Sequence, residues 1–396
     1  MRLSHDAPFF LLWFGAAVSL AEMLAGTLLA PMGLVRGLAA IVFGHLIGTT
    51  LLVLAGLIGS REGQSAMGTA GAAFGSAGRR LFAALNVVQL VGWTAIMLAT
   101  GARQFAGLAA QLGAAGPVWP WIAVFGLLIA AWAVFARAGI GRLNTVAVAL
   151  LIALLLMVFV RLFFVAGDSP APAPATMGFG AALELVVVMP LSWLPLVADY
   201  NRHARSGGAA AVFTWLGYGI GSAWMYAIGL LMALRFGGLD IGALVGGAPA
   251  VVAALAVILL STVTTTFMDT YSAGVSARHI APIGSPRILA LAMTAIGTAV
   301  ALAVPIAAYE SFLYTIGALF SPLYAVVLAR YFGLGERADA PGVFNWPAIG
   351  VWALGVASYY AFLVLDAPIG ATLPAFAFTA LLYVLTRRIR AIAHAA

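Results

Sequence analysis

Residues 189–205, MPLSWLPLVADYNRHAR, close an apolar run that begins near Met177 and is long enough to cross a bilayer. Pro190 and Pro195 interrupt it, with Ser192 and Trp193 between them. Proline removes a backbone donor and crowds the preceding turn, so the sequence predicts a span that is kinked or unwound in mid-membrane. A broken helix at that depth persists only where it is buried in protein or lines a cavity. The stretch is therefore a candidate wall of a binding site. It ends in an acidic-aromatic-basic cluster of Asp199, Tyr200 and Arg202.

The rest of the chain provides the membrane context. Of 396 residues, 64% are apolar and 8% charged, and the mean hydropathy is +1.09. Soluble domains do not tolerate so few charges, so the chain reads as an all-α integral membrane protein. All 19 basic residues are arginine, and Ala and Gly are abundant, the composition of a GC-rich bacterial coding sequence. The expected location is a bacterial cytoplasmic (inner) membrane. Cysteine is absent, which excludes disulfides, thiolate metal sites and cysteine catalysis. The N-terminus, MRLSHDAPFF, carries one arginine and no small-residue cleavage site, and reads as a retained first span.

At about 20 apolar residues per crossing, twelve spans are expected. They lie near residues 9–34, 37–59, 81–101, 119–136, 143–166, 178–198, 211–235, 248–274, 287–306, 311–332, 347–365 and 370–386. Only the connections at 60–80 and 333–346 carry much sequence outside the membrane. With a cytoplasmic N-terminus, fifteen arginines fall inside, Arg2 and Arg137 among them, and only Arg36, Arg103, Arg161 and Arg235 fall outside. That asymmetry predicts an even number of spans with both termini cytoplasmic. It also accounts for the net charge of +7 without a nucleic-acid partner.

Spans 1 and 6 each carry a glutamate followed by a proline, Glu22 with Pro31 and Glu184 with Pro190, and spans 3 and 8 each carry a polar cluster. Interrupted helices at corresponding places in two halves point to an inverted-repeat transporter with a midplane site. The expected division is a ten-helix core over 1–334, with halves near 9–166 and 178–332, and two peripheral spans over 347–386.

An acid at the bilayer centre costs about 2.5–3.5 kcal/mol on insertion scales, so Glu22, Glu184 and Asp269 stand out as functional candidates. Each could instead be a protonated or paired group that joins helices. In span 3, Gln89 and Trp93 lie four apart on one face, where an indole can stack a flat ring beside an amide. Gly92 allows another backbone to approach them. Span 8 places Ser261, Thr262, Thr264, Thr265 and Thr266 just before Asp269. Single membrane threonines usually bond back to their own helix, but a patch of oxygens also suits a hard cation. His45, between Gly44 and Gly48, reads as a proton carrier or as a packing residue. Asp199 and Arg202 read as an ion pair at a helix end or as a gate. The enzyme signatures HExxH, G-x-S-x-G, GxGD and a Walker A lysine are absent from the sequence.

Five segments carry a resemblance: LLWFGAAVSLAEMLAGTLLAP, GRRLFAALNVVQLVGWTAIM, PLSWLPLVADYNRHAR, STVTTTFMDTYSAGVSA, and FSPLYAVVLARYF followed by FNWPAIGVWALG. Through them the chain resembles the nucleobase:cation symporter-1 family, in particular its hydroxymethylpyrimidine permease branch. The resemblance implies a LeuT-like fold of five plus five helices with two more, no enzymatic activity and no cofactor. It implies a monomer that imports a small-molecule pyrimidine by alternating access, with Na+ or H+ as coupling ion. Cytosine, a purine, or an amino acid on the same fold are the alternatives. By motif, Trp93 resembles the span 3 stacking tryptophan, Glu22 and Asp269 the polar contacts of spans 1 and 8, and Trp193 the span 6 aromatic. Gln89 stands in for a glutamine replaced here by Met97, and Ser192 and Glu184 complete the implied substrate contacts. The implied cation shell is the carbonyls of Val18 and Ala21 with the hydroxyl of Thr264 or Thr265. Val263 stands where a serine is expected, so protons on Glu22 or Asp269 remain the other possibility. Carboxylates accept from amines, which suits an aminopyrimidine better than a dicarbonyl ring.

Overall fold

The structure is a computed structural model, and it describes residues 5–135, 142–164, 177–245, 247–303, 308–337 and 342–395. Arg2 and Arg137 lie outside these, as do the expected ends of spans 4, 5 and 9. The described residues form helices and turns, with no strand among them. In order they are α1 (Pro8–Ala17), α2 (Leu20–Thr27), α3 (Gly33–Glu62), α4 (Ala66–Gln111), α5 (Trp119–Phe135), α6 (Arg142–Phe164) and α7 (Phe179–Ser192). There follow α8 (Leu194–Asn201), α9 (Gly207–Phe236), α10 (Ala248–Ile280), α11 (Pro286–Ala303), α12 (Tyr309–Leu328), α13 (Trp346–Val364) and α14 (Thr372–Ala395).

Eight of these segments are long and apolar enough to cross a membrane, counting α7 with α8 as one, and nine with the bent pair α1 and α2. Outward-facing side chains such as Val35, Leu127 and Val364 are 71–85% exposed and apolar. Lipid, not water, is the solvent for that surface.

The main break differs from the one the prolines suggested. α7 and α8 are separated only by Trp193, which keeps near-helical angles (φ −88°, ψ −10°). The Trp193 N–H donates to the Pro190 carbonyl at 3.1 Å, tightening the chain into a turn instead of unwinding it. α1 and α2 are bent by 52°, although Pro31 lies well beyond the bend, in a 3₁₀ turn at Ala30–Met32. The bend falls at Val18 (φ −76°, ψ 83°) and Ser19 (φ −138°, ψ 154°). Ser19 restarts the helix as its N-cap, accepting from the Glu22 N–H at 3.2 Å.

The connection expected at 60–80 is helical from Ala66 onward. It turns at Gly75, whose positive φ of 83° a side chain rarely adopts and whose missing Cβ leaves room for the Val343 carbonyl. Ala77 N–H then donates to that carbonyl at 2.8 Å, and Asn345 N–H to the Phe74 carbonyl at 3.0 Å. α4 packs chiefly on α10, while α9 lies against α1, α2 and α3. Gly26 and Gly229 let α2 and α9 approach backbone to backbone. α13 and α14 pack on each other and on α12.

Candidate functional site

The break between α1 and α2, the middle of α4, the junction of α7 with α8, and the middle of α10 line one small cavity. Its lining is Ser19, Ala21, Glu22, Trp93, Met97, Met189, Ser192, Trp193, Thr265 and Asp269. None of these is more than 7% exposed, so the cavity is closed to bulk solvent.

Five of the seven expected substrate contacts meet here: Glu22, Trp93, Ser192, Trp193 and Asp269. Two do not. The Gln89 amide turns aside to donate to the Ser192 carbonyl at 2.8 Å, where it ties α4 to the α7–α8 junction. Glu184 faces the far side of α7. Its carboxylate accepts from the Tyr359 hydroxyl at 2.6 Å and from the Thr372 N–H and hydroxyl, both at 2.7 Å. Glu184 thus fastens α13 and α14 to the bundle, because Tyr359 lies on the first and Thr372 on the second.

The two carboxyls in the cavity differ. Glu22 accepts from Tyr218 at 2.8 Å and from Ser222 at 2.6 Å, both on α9. Asp269 makes no hydrogen bond or ion pair among the described residues, although it is 4% exposed. A buried polar group without a partner is costly, so Asp269 is an acceptor waiting for a donor from a ligand. The Trp93 indole N–H is likewise buried without a partner. Its ring is held edge-on by Tyr309 and Phe312, at centroid distances of 6.1 and 5.4 Å. Trp193 is braced in the same way by Trp13 at 5.7 Å and Tyr218 at 6.1 Å. Two fixed indoles and one free carboxyl can hold a flat ring that bears a hydrogen-bond donor.

The expected cation ligands are distributed differently. Thr264 bonds back to the Leu260 carbonyl at 2.8 Å. Thr265 donates to the Gly15 carbonyl at 3.2 Å, bridging α10 to the end of α1. The Ala21 carbonyl accepts from Tyr309 at 2.9 Å, and Val18 lies at the bend itself. Among the described residues no group of three or more His, Asp or Glu side chains could hold a metal ion.

Asp199 and Arg202 do not pair. Asp199 accepts from the Ala66 N–H at 2.9 Å, at the start of α4, and from the Ser272 hydroxyl on α10. Arg202 instead contacts His203 at 3.3 Å. Sequence reasoning passed over Ser19, Tyr218 and Ser222. Two signals point to them: Ser19-x-x-Glu22 has the spacing of a capping box, and Tyr218, Ser222 and Tyr226 recur every four residues along one face of α9.

Over residues 2–385 the chain matches the family described as "Permease for cytosine/purines, uracil, thiamine, allantoin". No curated protein matches it. Among solved structures it is similar to Mhp1, a nucleobase-cation-symport-1 family transporter, in a closed conformation with bromovinylhydantoin bound. The TM-score is 0.84 at 18% identity, over 97% of this chain and 92% of that one. The inward-facing conformation of Mhp1 gives 0.78 at 18% identity, over 98% and 91%. MhsT in complex with L-phenylalanine gives 0.64 at 18% identity, over 96% and 98%. At these identities the likeness is one of fold, and the fold is the LeuT type. Together with the family match along nearly the whole sequence, it places the chain in the nucleobase:cation symporter-1 family of multi-pass membrane permeases.

Proposed function

We propose that this permease imports a pyrimidine, foremost hydroxymethylpyrimidine, by alternating access around the cavity at the α1–α2 break, coupled to H+ or Na+. The observation that carries the reading is the unpartnered Asp269 carboxyl in a closed cavity walled by Trp93 and Trp193. An aminopyrimidine offers its ring faces to the indoles and its exocyclic amine to Asp269. The hydantoin bound to Mhp1 is also a flat heterocycle, but a dicarbonyl ring donates only through its ring N–H groups and carries no exocyclic amine. The arginine asymmetry supports a bacterial inner membrane with both termini cytoplasmic. The packing of α13 and α14 on α12 supports their reading as two peripheral helices beside a ten-helix core.

The test is competition for binding in detergent, with hydroxymethylpyrimidine, cytosine, uracil and hydantoin as competitors. The amine-bearing rings should compete at least tenfold better than uracil or hydantoin. Equal competition by uracil would overturn the role given to Asp269, and cytosine as the strongest ligand would move the substrate elsewhere within the family.

A further inference from the structure

Behind Glu22, away from Asp269, a chain of short polar contacts leads out of the cavity wall into α3. Ser222 Oγ lies 2.6 Å from Glu22 Oε2 and 2.6 Å from His45 Nε2. His45 Nδ1 lies 2.8 Å from the Ile41 carbonyl. All three side chains are at most 4% exposed.

The hydrogens in this chain can be counted. The Ile41 carbonyl can only accept, so Nδ1 carries a hydrogen. Ser222 has a single hydrogen for two neighbours. If it donates to Glu22, then His45 Nε2 must donate to Ser222, which makes an imidazolium beside a carboxylate. If it donates to His45, then Glu22 must be the protonated partner and donate to Ser222. Either arrangement holds the same one proton, and both are neutral overall. Remove that proton and one of the two 2.6 Å contacts has no hydrogen in it. The chain would then also carry a net negative charge inside the membrane, which is costly.

Among the described residues no side chain offers another counter-charge. The ionisable groups facing the chain are Tyr218 on Glu22, Tyr226 edge-on to His45 at 5.1 Å, Tyr309 over the Ala21 carbonyl, and Asp269 in the same cavity. Glu184 of α7 and Asp199 of α8 are engaged by their own donors. No ion pair to Glu22 or His45 is present among the described residues.

We propose that Glu22, Ser222 and His45 form a relay that binds one exchangeable proton, and that this proton is the coupling ion of the carrier. Transfer between its two forms moves one hydrogen from Nε2 to Ser222 Oγ and one from Ser222 to Glu22 Oε2, with no other atom displaced. Because Glu22 is also a cavity wall and the third residue of α2, the ligand and the bend at Ser19 both feel where the proton sits. The inference rests on the cavity being the transport site, and it commits that site to H+.

Two readouts on the purified protein test it. Above the pH at which the empty carrier's relay loses its proton, substrate binding, with hydroxymethylpyrimidine as probe, should take up one proton per ligand in weakly buffered detergent. Its affinity should fall about tenfold per pH unit once the relay loses its proton, and Na+ should not change it. His45→Gln and Ser222→Ala should both flatten that slope while binding persists at low pH. Proton-free, Na+-dependent binding, or an unaltered slope in both variants, would overturn the relay. The second readout needs no ligand: histidine ¹⁵N NMR, with His45→Gln assigning the signal. Nδ1 should stay protonated while Nε2 changes with pH, and two pH-invariant nitrogens would overturn the proposal even if no pyrimidine bound. A ligand panel that fails to bind while Nε2 titrates as expected would instead overturn the substrate assignment and leave the relay standing.

Discussion

Two carboxyls share the cavity, and their bonding assigns them different work. Glu22 is saturated by α9, whereas Asp269 is buried with nothing to accept from. Asp269→Asn keeps the shape but puts an amide, which both donates and accepts, in place of the carboxyl. Leaving a buried donor without its partner costs about 1–3 kcal/mol, so affinity for an amine-bearing ring should fall roughly five- to a hundredfold. Uracil, whose carbonyls an amide can meet with its own donor, should lose less or gain, and isothermal titration of both ligands reads the difference. Trp93→Ala should weaken saturable uptake roughly five- to a hundredfold while the protein still reaches the membrane, because stacking on an aromatic ring is worth about 1–3 kcal/mol. Uptake that survives unchanged would remove Trp93 from the site. Both residues were legible in the sequence for a simple reason: acids and clustered polar groups are too costly in an apolar span to be incidental. What the sequence could not tell was direction. Glu184 carried the same signal as Glu22, and only packing reveals that its helix turns it toward Tyr359 and Thr372.

At the scale of the element, the informative contrast is between spans 1 and 6. Prolines drew attention to span 6, yet Pro190 and Pro195 sit where one helix ends and the next begins, and Trp193 bridges them at near-helical backbone angles. Pro195 falls in the first turn of α8, where a missing N–H costs nothing. Span 1 bends through 52° without any proline at the bend, because Ser19 offers α2 a cap and Val18 leaves the helical region. The clue was a spacing, Ser19 to Glu22, and not a helix breaker. Ser19→Ala should therefore cost about 1 kcal/mol of stability, read as a lowered Tm, and should weaken substrate binding through the displaced start of α2. Glu184→Ala separates the two kinds of acid. It strands three donors from α13 and α14, at about 1–3 kcal/mol for each group left unsatisfied, so the Tm should drop while ligand affinity is retained. A tenfold loss of affinity at unchanged Tm would return Glu184 to the binding site.

Across the whole molecule, the cavity is sealed because separate helices are stitched together on either side of it. On one side the Tyr309 hydroxyl holds the α2 backbone, with Phe312 and Tyr309 closing over Trp93. On the arginine-rich side Asp199 joins α8 to the start of α4 and to Ser272 of α10, and Tyr200 donates to the Met268 carbonyl at 2.9 Å. An acid that clamps three helices at once is a natural latch, since alternating access requires α8 to part from α4 and α10 when that side opens. Asp199→Ala removes two of its bonds while leaving the cavity lining untouched. The chain has no cysteine, so Ser192→Cys introduces one reporter thiol on the cavity wall. In detergent, with both faces accessible, that thiol should react slowly with a maleimide and be protected further by substrate. Adding Asp199→Ala should raise its labelling rate several-fold and weaken the protection, because the closed state then loses contacts that the open state never had. An unchanged rate would mean that the α8–α4–α10 junction holds the fold without governing access, and would leave Tyr200 and Tyr309 as the contacts that close the cavity.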